Sequence, residues 1–271
     1  MLKTRVITAL VLLAVFVPVT LFAPIGGFGA LIAFVLIFAA WEWARLLKCQ
    51  GHTAVVYAGV CALGLLLSLR LPNGAALGFY KASAIFWVAA APYAMLRKPV
   101  LATGAWRRLL LLAGVVILIA CWYALVAARI AGVAYVLSLL LVVWCADIGA
   151  YFAGKTFGRH KLAPAISPGK TWEGAFGGWL LVLALAVACG TSGFFAPTVF
   201  SRLVADIGWV RLVLVTTLLV VFSIVGDLFE SLLKRQAGVK DSSGLLPGHG
   251  GVLDRIDALL PVLPLAMLLL G

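Results

Sequence analysis

Asp147, Asp227 and Glu230 lie within, or at the end of, segments apolar enough to cross a membrane. An ionised carboxylate at that depth is costly unless it is paired, hydrated or bound to metal, so each is a candidate functional group. Asp227, Glu230 and Ser231 are three and four residues apart and project from one helical face. Asp254 and Asp257 likewise share a face at the start of the next apolar segment, where carboxylates favour the positive end of a helix dipole. Between these acids runs a polar stretch holding Lys234, Arg235, Lys240, Asp241, His249 and Arg255, with Gly244, Pro247, Gly248, Gly250 and Gly251. Glycines let backbone amides approach a ligand closely. Basic groups and free amides facing carboxylates can hold phosphate and a divalent cation together, since magnesium usually binds one or two carboxylates plus substrate phosphates. The plainer reading is a solvated loop leading into a capped helix; the depth of Asp227 weighs against it.

A second polar element is Ser167 to Gly174, SPGKTWEG. Gly169, Lys170 and Thr171 imitate the end of a phosphate-binding P-loop, but that motif needs a glycine where Pro164 stands. An ordinary turn entering a helix explains Pro168 and Gly169 but leaves Lys170 and Glu173 without a reason. Lys170 is therefore read as a phosphate or nucleotide contact. A third element is Asp147 with Tyr151, four residues apart on one face; a site carboxylate and a helix-holding ion pair are equally open there. His52 and His160 read as loop residues. No second His or Cys stands at metal-ligand spacing beside His249, so zinc is not expected. Cys49, Cys61, Cys121, Cys145 and Cys189 form no CxxC pair and read as packing residues.

The elements that must position these groups follow from composition. Of 271 residues, 65% are hydrophobic and 11% charged, against about 45–50% and about 25% in soluble domains. Apolar stretches of about 20 residues recur along the chain, each long enough to span about 30 Å of hydrocarbon. The expected fold is all-α: one polytopic membrane-embedded domain over 1–271, with spans near 6–23, 27–47, 54–70, 78–96, 109–128, 133–153, 174–193, 211–233 and 252–270. Nine spans are expected, with eight as the alternative count. The third is short, and Pro261 and Pro264 are expected to kink or break the last. A β-barrel would alternate polar and apolar residues instead. The first segment resembles a signal peptide, but its apolar run continues to Ala23 without a clear cleavage site, so retention is expected.

With the N-terminus in the cytoplasm, 16 of the 21 basic residues fall on the inner side and five, Arg70, Lys81, Arg129, Arg202 and Arg211, on the outer. The positive-inside rule favours this orientation. It puts the loops 154–173 and 234–251 on one cytoplasmic face. The net charge of +12 is then explained by loop orientation and anionic lipid rather than by nucleic acid. Residues 1–140 read as mainly scaffold and 141–271 as catalytic helices and loops. Glu42 is the one acid before residue 140; its neighbours Trp41 and Trp43 suggest an interfacial anchor.

The run Ser231–Asp257 resembles the signature of the CDP-diacylglycerol synthases, or phosphatidate cytidylyltransferases: Ser231, then Lys234-Arg235, Lys240-Asp241, Pro247-x-His249-Gly250-Gly251, and Asp254-Arg255-x-Asp257. SPGKTWEG resembles the family's Ser-Pro-x-Lys-Thr-x-Glu-Gly loop. The resemblance implies cytidylyl transfer from CTP to phosphatidate, giving CDP-diacylglycerol and pyrophosphate. It implies catalytic roles for Lys170, Lys234, Arg235, Lys240, Asp241, His249 and Arg255. Substrate contacts would come from Ser167, Lys170, Thr171, Ser231, Gly250 and Gly251. Mg2+ would sit on Asp227 and Asp254 with Asp257 in support and Asp147 as a further candidate, a second cation being left open. Partners would be CTP, phosphatidate and membrane lipid, with no nucleic acid and with a homodimer among the oligomeric states allowed. The expected location is the bacterial inner membrane, with the site facing the cytoplasm. The rival readings are a CTP-dependent lipid kinase and, further off, an ion-coupled transporter, which would place acids near the midplane of repeat-related helices.

Overall fold

The structure is a computed structural model that describes residues 2–72, 74–192 and 196–270. It is all-helical apart from one small hairpin. In chain order the helices are α1 (Leu2–Phe22), α2 (Ile25–Leu46), α3 (His52–Ser68), α4 (Ala75–Ile85), α5 (Ala91–Arg97), α6 (Gly104–Ala131), α7 (Val133–Phe157), α8 (Trp172–Thr191), α9 (Val199–Ile207), α10 (Trp209–Ala237), α11 (Leu253–Ile256) and α12 (Leu259–Leu270). A π-helical turn, Phe86–Ala90, joins α4 to α5 just before Pro92.

Among the described residues seven helices are long and apolar enough to cross a membrane, fewer than the nine expected. The third expected span is the 17-residue α3. The last is broken into α11 and the 12-residue α12. Pro261 has no N–H to donate to the carbonyl of Asp257, four residues back, so the helix interrupts at Asp257 and Ala258. The short helix α9 was not expected. Residue 193, the end of the seventh expected span, lies outside the described residues.

Two packing features position the polar residues. The first is the α7–α8 pair, where small residues replace side chains at the seam. Gly149 faces Gly177 and Gly178, Gly174 faces the Ala150 carbonyl, and a Cβ added to Gly149 or Gly174 would come within 2.9 Å or 2.8 Å of backbone. Such close approach is how helices bind in lipid, where a hydrophobic driving force is missing. The second is an aromatic cluster. Phe229 of α10 meets Phe86 at 5.4 Å and Trp87 at 5.7 Å, both edge-to-face, and Trp43 of α2 at 6.1 Å. These rings tie α10 to the N-terminal helices.

Candidate active site

The 154–173 connection is more ordered than a loop. Lys161–Ala163 (β1) pairs antiparallel with Ser167–Thr171 (β2). Thr171 then caps α8, its Oγ1 accepting from the Gly174 amide at 3.1 Å. The hairpin therefore hands Lys170 directly to the α7–α8 seam. Glu173, in the first turn of α8, accepts from the His160 amide and contacts His160 Nδ1 at 2.6 Å, which pins the base of the hairpin.

Lys170 Nζ meets Asp227 Oδ2 of α10 at 2.5 Å. Both line a cavity of about 440 Å3 together with Asp147, Tyr151, Thr171 and Ser223. Ser231 donates to Asp227 Oδ1 at 3.3 Å. Three groups expected from different segments, Asp147, Lys170 and Asp227, are thus gathered in one hollow. Ser231 acts there through Asp227. Ser167 lies in the hairpin that presents Lys170.

Asp254 and Lys234 occupy a neighbouring, tighter network. Lys234 Nζ lies 2.6 Å from both Glu230 Oε2 and Asp254 Oδ1. The other Asp254 oxygen accepts from the Ser242 amide and hydroxyl, each at 2.9 Å, and from the Gly251 amide at 2.8 Å. Every Asp254 oxygen and the Lys234 ammonium are therefore engaged within the fold. Asp257 Oδ1 accepts from the Ala258 amide at 2.7 Å. The backbone carbonyl of Asp257 sits against Gly226, where a Cβ would come within 2.5 Å of it, so Gly226 lets α10 lie against the broken helix.

The signature turn closes on itself. Leu246 N–H donates to the Gly250 carbonyl and His249 N–H to the Leu246 carbonyl, each at 2.8 Å. Gly248 and Gly250 have φ of 76° and 82°, which a side chain would strain. Gly251 has no room for a Cβ, being pressed against Ser242 Oγ and Glu42 Oε1. Both glycines of the Gly250-Gly251 pair serve turn closure in this state. Arg255 donates to the His249 carbonyl from Nε at 3.1 Å and Nη2 at 2.7 Å. His249 Nδ1 is buried without a hydrogen-bond partner. Arg235 donates to the Ile166 carbonyl at 3.4 Å, and Lys240 and Asp241 are exposed on the loop.

Glu42 corrects one expectation. It is no interfacial anchor: it is fully buried at 0% exposure. Its carboxylate accepts from Ser242 Oγ (3.1 Å), Ser243 Oγ, and the amides of Val252 (3.0 Å) and Leu253 (2.6 Å) at the start of α11. Ser242 lies between the two acids, its one hydroxyl proton shared by Glu42 and Asp254 while its amide donates to Asp254, so α2 braces the signature loop. Trp43 is buried too, its Nε1 donating to the Leu110 carbonyl at 2.9 Å. The signal was present in the sequence, since an acid inside an apolar helix demands a partner; the flanking tryptophans concealed it.

A cavity lined by two carboxylates and two lysines, Lys155 and Lys170, and set among membrane-length helices, defines an integral membrane protein equipped for an anionic, phosphate-bearing ligand. The comparisons with known proteins agree. The model of the cytidylyltransferase family matches residues 3–271, and the chain belongs to that family. It is 42% identical over 280 residues to a phosphatidate cytidylyltransferase of Pseudomonas aeruginosa, an alignment covering 100% of this chain and 97% of the relative. Relatives with the same name from Haemophilus influenzae and Bacillus subtilis are 47% and 46% identical, over 49% and 52% of this chain and 44% and 48% of their own.

Proposed function

We infer that this chain is a phosphatidate cytidylyltransferase: it transfers the cytidylyl group of CTP to phosphatidate, giving CDP-diacylglycerol and pyrophosphate. The observation that carries the reading is similarity to a protein of that name along the whole length. The cavity gives it a mechanism. A phosphate oxygen of phosphatidate forms a bond to the α-phosphorus of CTP as the bond to the β-phosphate bridging oxygen breaks, and pyrophosphate leaves. The attacking phosphate is already anionic at neutral pH, so no strong base is needed. The difficulty is repulsion between two polyanions, which preorganised positive charge in a water-poor site relieves. Lys170, paired with Asp227, is the cation placed to move onto phosphate. Arg235, Lys240 and Arg255 are exposed and are the candidates to take the remaining phosphates. Lys234 stays within its carboxylate pair and shapes the loop.

The donor set fits magnesium. Asp147 and Asp227 supply two carboxylates in one cavity, and this ion takes one or two carboxylates and completes its shell with substrate phosphates and water. Among the described residues no group of three or more potential ligands stands together, so the remaining ligands of such an ion would have to come from substrate phosphate and water. Asp227 and Asp147 would hold the ion, which would supply charge neutralisation at the reacting phosphates; Asp254 and Asp257 would keep Asp227's surroundings in place. The basic loops orient the cavity to the cytoplasmic side of a bacterial inner membrane.

The test is pyrophosphate release from CTP and phosphatidate across a magnesium titration. Asp227→Asn and Asp147→Asn are each expected to lower turnover about 100-fold, the scale of removing one electrostatic contact in an active site. Near-parental turnover in both would remove the proposed metal site. CDP with a phosphorylated lipid, in place of pyrophosphate with a cytidylylated one, would favour the lipid-kinase reading.

A further inference from the structure

A second cavity lies beside the polar one and is of opposite character. It has a volume of about 330 Å3 and is lined by apolar side chains of α1, α2, α6, α7 and α12, with Arg255 as its single charged residue. The size is that of a ligand site. Its floor is rigid: Ile32, Leu36, Cys121 and Leu263 are each at most 5% exposed. Its outer wall is α1, of which only 6% is buried inside the protein. One wall is therefore open to lipid while the others are fixed.

The two cavities share α7. Leu140 and Trp144 border the apolar one, while Asp147, Ala150 and Tyr151, beginning one turn later, border the polar one. Arg255 lines the apolar cavity and is exposed; it follows Asp254 in sequence and is within electrostatic reach of Asp147. From Arg255 the lining continues past Leu259 to Leu263 of α12. An apolar slot with one guanidinium in its lining, abutting a phosphate-handling hollow, complements a molecule with an anionic head and a hydrocarbon tail.

We propose that this slot holds one acyl chain of the glycerolipid substrate, with Arg255 at the glycerol-phosphate end, and that Leu263 and Leu13 help set the chain length accepted. The inference rests on the lipid-substrate reading above. It adds that the chain is gripped inside the protein rather than left in the bilayer. A tail bound there fixes the head group relative to Asp147 and Lys170, and remote binding of this kind is spent on positioning the reacting groups.

The experiment uses full-length protein in mixed micelles with dioctanoyl and dipalmitoyl phosphatidate. Leu263→Trp fills the slot from its floor and Leu13→Trp from the exposed α1 wall, where overpacking does not threaten folding. Thermal unfolding midpoints are measured alongside. In both variants kcat/KM for the dipalmitoyl lipid should fall about tenfold or more, while the dioctanoyl value stays within about twofold. The KM for CTP should not move. Equal losses for both lipids in folded protein, or no loss for either, would overturn the slot while leaving the reaction standing. A phosphatidate carrying a diazirine near its tail end gives a readout independent of turnover. Crosslinks to peptides of α2 and α12 are expected. Crosslinks confined to the outer lipid-facing surface, or to a second copy of the chain, would mean the slot is not the acyl site. Failure of the parent to release pyrophosphate with either lipid, with the crosslinks still in place, would instead strike at the reaction.

Discussion

Glu42 is the residue whose removal should reveal the most about how the site is built. Glu42→Ala would orphan the amides of Val252 and Leu253 and the Ser243 hydroxyl, while the Ser242 hydroxyl keeps Asp254. A buried unsatisfied group costs about 1–3 kcal/mol, so a loss on the order of 3 kcal/mol or more is expected, read as a lower unfolding midpoint in detergent. Glu42→Gln keeps the shape and one acceptor oxygen and should lose less. If Glu42→Ala unfolds like the parent, the carboxylate does not brace the loop. At this scale the sequence was partly legible. The spacing of Asp227, Glu230 and Ser231 and the run from Lys234 to Asp257 marked the polar region correctly. What could not be read was the division of labour. Asp254 and Lys234 saturate each other, together with Glu230, Ser242 and Gly251, whereas Asp147 and Asp227 face open space with Lys170. Which of several acids spends its oxygens internally depends on backbone amides, and their positions are fixed only by folding.

At the scale of elements, the seam between α7 and α8 controls the distance from Asp147 to the hairpin that carries Lys170. Gly178 lies against the Ala146 carbonyl and has no space for a side chain. Gly178→Leu should push the helices apart, lower stability by about 1–3 kcal/mol as overpacking does, and reduce turnover further than the stability loss alone explains. Parental turnover would show that the seam does not set the site's geometry. The sequence displayed the long helices because about 20 consecutive apolar residues leave few alternatives. It did not display the β1–β2 hairpin, whose three- and five-residue strands carry too short a pattern to stand out. The break in the last span was legible from Pro261 and Pro264, while nine spans were read where the described residues contain seven helices of membrane-crossing length.

For the whole molecule, the distribution of basic residues makes an orientation prediction that the helices alone do not. Single cysteines placed at Lys48 and Lys240, in an otherwise cysteine-free chain, should react with an impermeant maleimide only from the cytoplasmic side of oriented vesicles. One placed at Arg202 should react from the opposite side. Labelling of all three from one side would invert or collapse the topology. Such an arrangement gives a charged nucleotide access from water and a lipid access from the bilayer plane. The N-terminal helices are not passive in it: Thr8 donates to the Pro247 carbonyl at 2.8 Å and α2 contributes Glu42, so the two halves of the chain fold around one another.

The contact between Lys170 and Asp227 has a temporal consequence. While it stands, the acid is matched by the ammonium, so the divalent-cation site proposed above would gain little from it. In that proposal an arriving nucleotide would compete for the lysine, and the carboxylate it vacates would become available just as the triphosphate needs a counter-ion. If the proposed cation site holds, loading would be ordered, nucleotide and cation together rather than cation first.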